Sequence, residues 1–488
     1  MGSSSTNYRV LIKIFGMIIL ITGIGMVFPW IYAEVTGDQS VALAFRACVP
    51  VIVIIGICIC LFFRTDRAHF HARDGYLVVS LCWMLASFAG SFPYYLSGCT
   101  ETYVDALFES TSGFTTTGST ILVGGLTNRS LMLWKAISHW LGGMGILVFV
   151  ISILPALGIS GQFIVRAEAP GPVYQKITTR ISSSARALYI TYFSFTILEF
   201  ILLMLSGKMP LYDAVINTLG TISTGGLCAQ PAGVVAYHSL YIELVMAAFC
   251  ILASVNFVLY HYMLTGKILE MLRDIELRAY LLIIAVATML CTVNLITVRG
   301  MRPSDALHDS FIQTVFMAST AGFYRSNHLI WPAACQFVLL ALILIGGCSA
   351  STAGSIKVIR ILVMFKLMAR GMTRRIHPRS VVAVKLGGNA ISAPVVSNIT
   401  IFLLTFAGLI IITALLLSIQ GDDMETSLTT AIALLSNTGT AITHGVTYND
   451  FPLYHPLLKI YMCVLMIAGR LELFTVILLF TSGLWRRR

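Results

Sequence analysis

The stretch GFTTTGST, residues 113–120, is a polar run set between two apolar segments long enough to cross a bilayer. Around it, the 488-residue chain is 57% hydrophobic and 11% charged, with a mean hydropathy of +0.87. Backbone without a helical ladder is costly in lipid, because each unpaired N–H or C=O loses its water. Such a loop is tolerated at membrane depth only where it is buried in protein or lines a water-filled cavity.

Three relatives of this stretch recur further along. Stacked on a glycine, the four read DALFESTSGFTTTGS (105–119), DAVINTLGTISTGGL (213–227), DSFIQTVFMASTAGF (309–323) and TSLTTAIALLSNTGT (426–440). The aligned glycines are Gly118, Gly226, Gly322 and Gly439, at intervals of 108, 96 and 117 residues. In the first three an Asp stands 13 residues before the glycine, and in the fourth Thr426 takes that place, with Asp422, Asp423 and Glu425 just upstream. The repeating unit is a span, a short amphiphilic segment, a Thr/Gly loop and a second span.

Each Asp is expected to N-cap its short segment and complement the helix dipole. About nine helical residues rise roughly 14 Å, half the hydrocarbon thickness, so each short helix stops near mid-membrane with its partly negative end at the centre. Four such loops around one axis present rings of carbonyl oxygens, which replace the hydration shell of a potassium ion. Glycine permits the required φ values and leaves room at the axis, and Thr hydroxyls add acceptors. The alternative is four re-entrant turns that merely pack helices, but packing alone does not call for Gly at one offset four times with Thr or Asn two residues before it.

The expected class is therefore an all-α polytopic membrane protein. Ten spans fall near 8–32, 41–63, 75–97, 129–156, 186–207, 234–264, 277–299, 329–368, 394–419 and 453–484, the first read as a retained helix rather than a cleaved signal. Units are expected at 1–73 (two extra N-terminal spans), 74–160, 161–266, 267–385 and 386–488 (pore repeats one to four). The net charge of +11 sorts by side. One side holds Arg9, Lys13, Arg64, Arg67, Arg73, Arg166, Lys176, Arg180, Arg186, Lys267, Arg273, Arg278, the basic residues of 366–385 and the final RRR; by the positive-inside rule it is cytoplasmic and holds both termini. Acids such as Glu101, Asp105, Asp213, Asp309, Asp422 and Asp450 collect on the other side, where they raise the local cation concentration.

Other motifs exclude more than they assign. The 11 cysteines form no CxxC pair, and eight fall in apolar stretches where Cys packs as a small hydrophobe. HFH (69–71) has no third ligand nearby and reads as a loop. No H-E-x-x-H, G-x-S-x-G or Walker A sequence is present, so nothing points to an enzyme, a cofactor or a nucleic-acid partner. A broken-helix solute transporter has two repeats of about five spans, whereas the period here is two spans, four times.

Taken together, SGFTTTGST, HWLGGMGIL, FIVRAEAPGP, GGCSASTAGSIKVIR and AGRLELFTVILL resemble the membrane subunit of Trk-type potassium uptake systems, within the superfamily that includes the Ktr and HKT transporters. The resemblance covers nearly the whole chain, and the two extra spans before the first repeat look like the Trk branch. It implies four span–pore helix–span repeats around one central pore, a homodimer in a bacterial inner membrane, and a cytosolic ring of nucleotide-binding (RCK-type) regulatory domains. It implies a K⁺ selectivity filter at Thr115, Thr116, Thr117 and Gly118, at Ser223, Thr224, Gly225 and Gly226, at Ser319, Thr320, Ala321 and Gly322, and at Ser436, Asn437, Thr438 and Gly439. Gly118 favours potassium, because a Ser there goes with sodium transport in plant relatives. A Na⁺-permeable or Na⁺/H⁺-coupled symporter of the same superfamily is the alternative.

Two features lie deeper in their spans. GGCSASTAGS (346–355) concentrates three Gly and three Ser inside apolar sequence. The bland reading is a small-residue packing face; the sharper one is an unwound loop across the permeation path, which the resemblance places as an intramembrane gate. Its expected residues are Gly346, Gly347, Ser349, Ser351, Thr352 and Gly354, with Lys357 following. Arg470 is an ionisable group within the last span. The resemblance aims it at the pore beneath the filter; a structural ion pair with Glu472 or Glu199 is the alternative.

Overall fold

A computed structural model describes residues 8–63, 72–122, 128–145, 181–264, 266–325, 330–378, 383–386, 389–439 and 451–481. Arg64, Arg67, HFH, the run FIVRAEAPGP, Lys176, Arg180, Thr440, Asp450 and the final RRR lie outside the described residues, as does the second half of the expected fourth span. The described residues are mostly helical. Their only strands are a two-residue antiparallel ribbon, Lys385–Leu386 with Asn389–Ala390.

α1 (Tyr8–Thr36) and α2 (Gln39–Phe62) form a hairpin turned at Gly37, with Asp38 capping α2 through the Val41 amide. The hairpin packs on α3 (Ala72–Leu96) and α5 (Arg129–Gly143). α4 (Tyr103–Phe114) lies between them in sequence and is only 12 residues long. The same alternation of long and short helices then continues: α6 (Ile181–Leu205), short α7 (Leu211–Ile222), α8 (Leu240–Ser254), α9 (Phe257–Leu264) and α10 (Ile268–Leu272). α11 (Ile275–Arg299), α12 (Pro303–Ala318), α13 (Ala333–Ile345) and α14 (Val358–Ile376) follow. α15 (Ala393–Ile419), short α16 (Met424–Leu435), α17 (Pro456–Arg470) and α18 (Phe474–Ile477) complete the order.

Among the described residues, six helices are long and apolar enough to cross a membrane, and the pair α8–α9, bent by 98°, adds a seventh if counted as one. Their outward faces carry large apolar side chains, including Phe28, Phe62, Leu282, Leu404 and Ile419, as a lipid-facing surface requires. The short helices are the reverse: α4, α7, α12 and α16 bury nearly every residue of their second half, polar ones included.

The expected spans at 234–264, 329–368 and 453–484 are all interrupted. The helices that leave the four polar loops, α5, α8, α13 and α17, run for only 15, 15, 13 and 15 residues. Each therefore ends about 20–22 Å from its start. Of these breaks only the one at 346–355 stands out in the sequence. α8 ends at the Val255–Asn256 pair, and α17 ends at Arg470, followed by Glu472 and Leu473 at φ 56° and 64°.

Candidate functional site

The four polar loops share one backbone. At the residue two before each aligned glycine, φ is 55° at Thr116, 54° at Thr224, 55° at Thr320 and 54° at Asn437; at the glycines it is 81°, 70°, 73° and 70°. Left-handed backbone is uncommon for any L-residue and an outlier for a β-branched one, so three of the four loops store local strain at the same place. The residue before each left-handed one caps its short helix. The amides beyond it turn back: Thr117 N to Ser112 O (3.0 Å), Gly225 N to Gly220 O (2.9 Å), Gly322 N to Phe316 O (3.1 Å) and Thr438 N to Ala433 O (3.0 Å). In the first, second and fourth loops this is the six-to-one closure of a Schellman C-cap, with Thr or Asn where glycine is usual; in the third the closing bond is one residue longer. The turn consumes the loop's N–H groups in its own helix and leaves its carbonyls to point elsewhere.

The loops also touch one another. A Cβ on Gly118 would lie 2.5 Å from the Gly225 carbonyl oxygen, one on Gly226 would overlap the Ala321 oxygen, and one on Gly439 would overlap the Thr117 oxygen. First loop meets second, second meets third, and fourth meets first. The Asn437 amide adds a hydrogen bond to Thr117 Oγ1 (3.0 Å) and one to Met466 O (2.8 Å).

The expected N-capping by Asp at the helix starts needs correction. Asp105 sits at the third helical position, in a capping box with Thr102, because its carboxylate reaches back to the Thr102 amide. Asp213 follows the N-cap Pro210 by three residues, and Asp309 is inside α12; only Asp423 caps, through the Thr426 amide at 3.0 Å. The first three are also partnered: Asp105 with Lys459 (2.6 Å), Asp213 with Gln230 (2.7 Å) and Tyr237 (2.9 Å), and Asp309 with Arg325. Two of those partners are cations, so these carboxylates hold structure more than they supply field.

A set of residues that sequence reasoning passed over braces the loops from behind. Nine positions before the aligned glycines stand Glu109, Asn217, Gln313 and Thr430, all buried. Each of the first three accepts from the amide three residues after its glycine: Ile121 N to Glu109 (3.0 Å), Ala229 N to Asn217 (3.2 Å) and Arg325 N to Gln313 (3.2 Å). Gln313 also donates to the Phe323 carbonyl at 3.3 Å. A carboxylate lacks that donor, and in the first repeat Lys135 supplies it, bonding Glu109 at 2.5 Å and the Ser119 carbonyl at 2.9 Å. An acid and an amine thus do together what one amide does in the third repeat. The signal was available: these residues occupy one column of the stacked repeats.

Below the loops, residues 346–355 are unwound, as expected. Gly346 has φ 71°, and a Cβ there would lie 2.6 Å from the Gly354 oxygen, so the strand doubles back tightly. Carbonyls freed where α8 breaks receive it. Cys348 N donates to Ser254 O (2.9 Å), Thr352 N and Oγ1 donate to Ala253 O (3.2 and 2.9 Å), and Ala350 O accepts from Phe257 N (3.0 Å). Within the segment, Ser351 Oγ donates to Cys348 O (2.6 Å) and Lys357 Nζ to Ala353 O, while Gly347 packs on Ala353. The segment touches the polar loops directly: Gly354 N donates to Thr320 Oγ1 (2.8 Å), and Ser355 Oγ lies 3.3 Å from Ser436 Oγ.

Among the described residues Arg470 makes no ion pair with Glu472 or Glu199. Its guanidinium donates to Thr352 O (2.6 Å), Gly142 O (2.8 Å) and Gly143 O, joining the unwound segment to the end of α5. Glu472 pairs with Arg360, which also stacks on Phe402 at 4.0 Å, and Glu199 is buried beside α7 with neither oxygen hydrogen-bonded among the described residues. A cavity of about 100 Å³ lies at this level, lined by Gly143, Ala353, Gly354, Lys357 and Arg470 among others. Among the described residues no cluster of three or more His, Cys, Asp or Glu could hold a metal.

Comparison with known proteins agrees with this fold. Residues 48–486 match the TrkH family model, described as a cation transport protein. The chain is 32% identical over 486 residues to the Trk system potassium uptake protein TrkH of Escherichia coli K12, spanning 98% of this chain and all of that one. It is 33% identical over 490 residues to TrkH of Vibrio parahaemolyticus, spanning 98% of this chain and all of that one. A crystal structure of the potassium transporter TrkH from Vibrio parahaemolyticus superposes with a TM-score of 0.87 at 30% identity, covering 99% of this chain and all of that one.

Proposed function

Because the chain belongs to the TrkH family of cation transport proteins, we propose that it takes up potassium through a pore built by the four polar loops. The observation that carries this reading is the fourfold left-handed turn at Thr116, Thr224, Thr320 and Asn437 with the glycine two residues on. Packing does not explain one strained conformation held four times, whereas a ring of carbonyls freed from internal hydrogen bonds does. The repeats are then 74–160, 161–266, 267–385 and 386–488, with 1–73 as two further spans, making ten spans in all.

In this reading the ion loses its water to carbonyls of 115–118, 223–226, 319–322 and 436–439. The short helices aim their partly negative ends at it. The braces at Glu109, Asn217 and Gln313 keep the rings at a fixed diameter. The segment 346–355 closes the path beneath, against the third and fourth loops, and Arg470 holds it there while opposing a passing cation. The basic face of α14 and the loops on its side are cytoplasmic, with both termini, and receive a nucleotide-binding regulatory partner; the protomer pairs in the inner membrane as a homodimer. The test is Rb⁺ uptake by liposomes holding the purified chain, with K⁺ and Na⁺ as competitors. Strong competition by K⁺ and weak competition by Na⁺ supports the filter; equal competition refutes it in favour of a Na⁺-permeable relative.

A further inference from the structure

The start of α11 bears on the unwound segment in a way the pore reading does not use. Glu276 lies in the first turn of α11 and is 3% exposed. It is far from the filter loops in sequence, and no filter or charge pattern singles it out. Its carboxylate makes three hydrogen bonds to one place. Oε1 accepts from Ser349 N (2.7 Å) and from Ile359 N (3.2 Å), and Oε2 accepts from Ser349 Oγ (2.6 Å).

These two partners stand on either side of the crossing segment. Ser349 is in its first half, and Ile359 is the second residue of α14. α14 has no side-chain cap of its own, because its N-cap is Lys357, held at φ 81°. The first amides of a helix need acceptors and favour an anion. Glu276 provides both from a neighbouring helix. One oxygen bridges the segment to the rigid helix behind it, and the second fastens the Ser349 side chain.

We propose that Glu276 is the latch of the gate: it holds residues 349–357 across the path by pinning Ser349 to the fixed N-terminus of α14. The inference rests on the reading of 346–355 as a gate. Moving the segment aside must break both bonds to Ser349, whereas the bond to Ile359 stays with α14. Glu276 is thus a positioning residue, acting on the ion only through the segment it fastens. It is placed next to Asp274, which caps α11 through Leu277 N (2.9 Å), and directly after the exposed helix α10. A shift of α10 passes to the latch within one helical turn.

The test uses the whole purified chain in liposomes, with two readouts. One is Rb⁺ flux with its K⁺/Na⁺ preference. The other is alkylation of Cys348 by N-ethylmaleimide, followed on its peptide by mass spectrometry, since this thiol adjoins Ser349 and is fully buried. Ser349→Ala removes one bond to a charged group, on the scale of about tenfold in a closed-to-open ratio. It is expected to raise Rb⁺ flux and the Cys348 alkylation rate about tenfold, with K⁺/Na⁺ preference and yield unchanged. Glu276→Ala raises both further, and Glu276→Gln raises them less than Glu276→Ala, because an amide oxygen still accepts from both backbone groups. Ser349→Ala with parental flux and parental Cys348 protection overturns the latch, whether or not Glu276→Ala folds. Deleting 346–355 separates the two levels. If the deletion leaves flux unchanged, the gate reading itself falls; if it raises flux while Ser349→Ala and Glu276→Ala behave as the parent, only the latch falls.

Discussion

Replacing Arg470 by Ala removes its three hydrogen bonds to Thr352, Gly142 and Gly143 among the described residues, of which one, at 2.6 Å to Thr352 O, reaches the unwound segment. A hydrogen bond from a charged donor contributes about 1.5–3 kcal/mol, or about 10- to 150-fold in the closed-to-open ratio at about 1.4 kcal/mol per decade. The same change removes a fixed positive charge. At about 7 Å and an effective dielectric near 20, its repulsion of a cation is about 2 kcal/mol. The two terms act on different quantities, the fraction of time open and the flux when open. Their product is capped by entry into the filter, so a rise of about tenfold or more is expected rather than the full product. Arg470→Lys keeps the charge but loses the planar fork that spans Thr352, Gly142 and Gly143, and should fall between. Glu472 keeps Arg360 as its partner in either variant, so among the described residues no buried carboxylate is stranded, and the fold should survive. Rb⁺ uptake per milligram of monodisperse protein is the assay. A well-folded Arg470→Ala with parental or lower uptake refutes the reasoning; poor yield rescued by neutralising Glu472 would return Arg470 to an ion-pair role.

Gly118→Ser should admit relatively more Na⁺ and lower K⁺ flux, because its φ is 81° and the new Cβ meets the Gly225 oxygen 2.5 Å away; paired K⁺ and Na⁺ flux measurements check it. Gly354→Ala should alter selectivity as well as flux, since its Cβ presses on the Ser436 carbonyl and its amide bonds Thr320 Oγ1 at 2.8 Å; an unchanged K⁺/Na⁺ ratio would contradict that coupling. Lys135→Met leaves Glu109 buried without its cation, a loss of about 3–5 kcal/mol, which Glu109→Gln in the same chain should largely restore in a thermal melt. The Asp423 carboxylate is held below its ordinary value of 3.8 by the Thr426 hydroxyl and amide. Its contribution is full above that value and is lost as pH falls through the lowered one, so Asp423→Asn should flatten the acid limb of a pH–stability curve.

The four loops were legible because glycine and threonine recur at one offset, and the offset survives drift in every other column. The first three long helices were legible from unbroken apolar length. What was not legible was set by tertiary partners. Asp at a helix start suggests an N-cap, yet Asp105 and Asp213 lie three residues into their helices because Thr102 and Pro210 already end the preceding chain. The break after Ser254 carries no glycine or proline; its freed carbonyls, Ala253 O and Ser254 O, are taken up by the unwound segment 346–355. Gln313 and Glu276 are ordinary polar residues in a linear reading, and gain meaning only from the amides they face. The brace column could have been found by asking what else aligns when the glycines do.

The central claim, a potassium-selective carbonyl ring built from four loops, meets its most direct test in liposomes that hold the purified chain, a tenfold outward-directed gradient of K⁺ or of Na⁺, and a voltage-sensitive dye. The account predicts a K⁺ gradient that polarises the membrane close to the Nernst limit and a Na⁺ gradient that scarcely moves the dye. Equal responses to the two ions would contradict it.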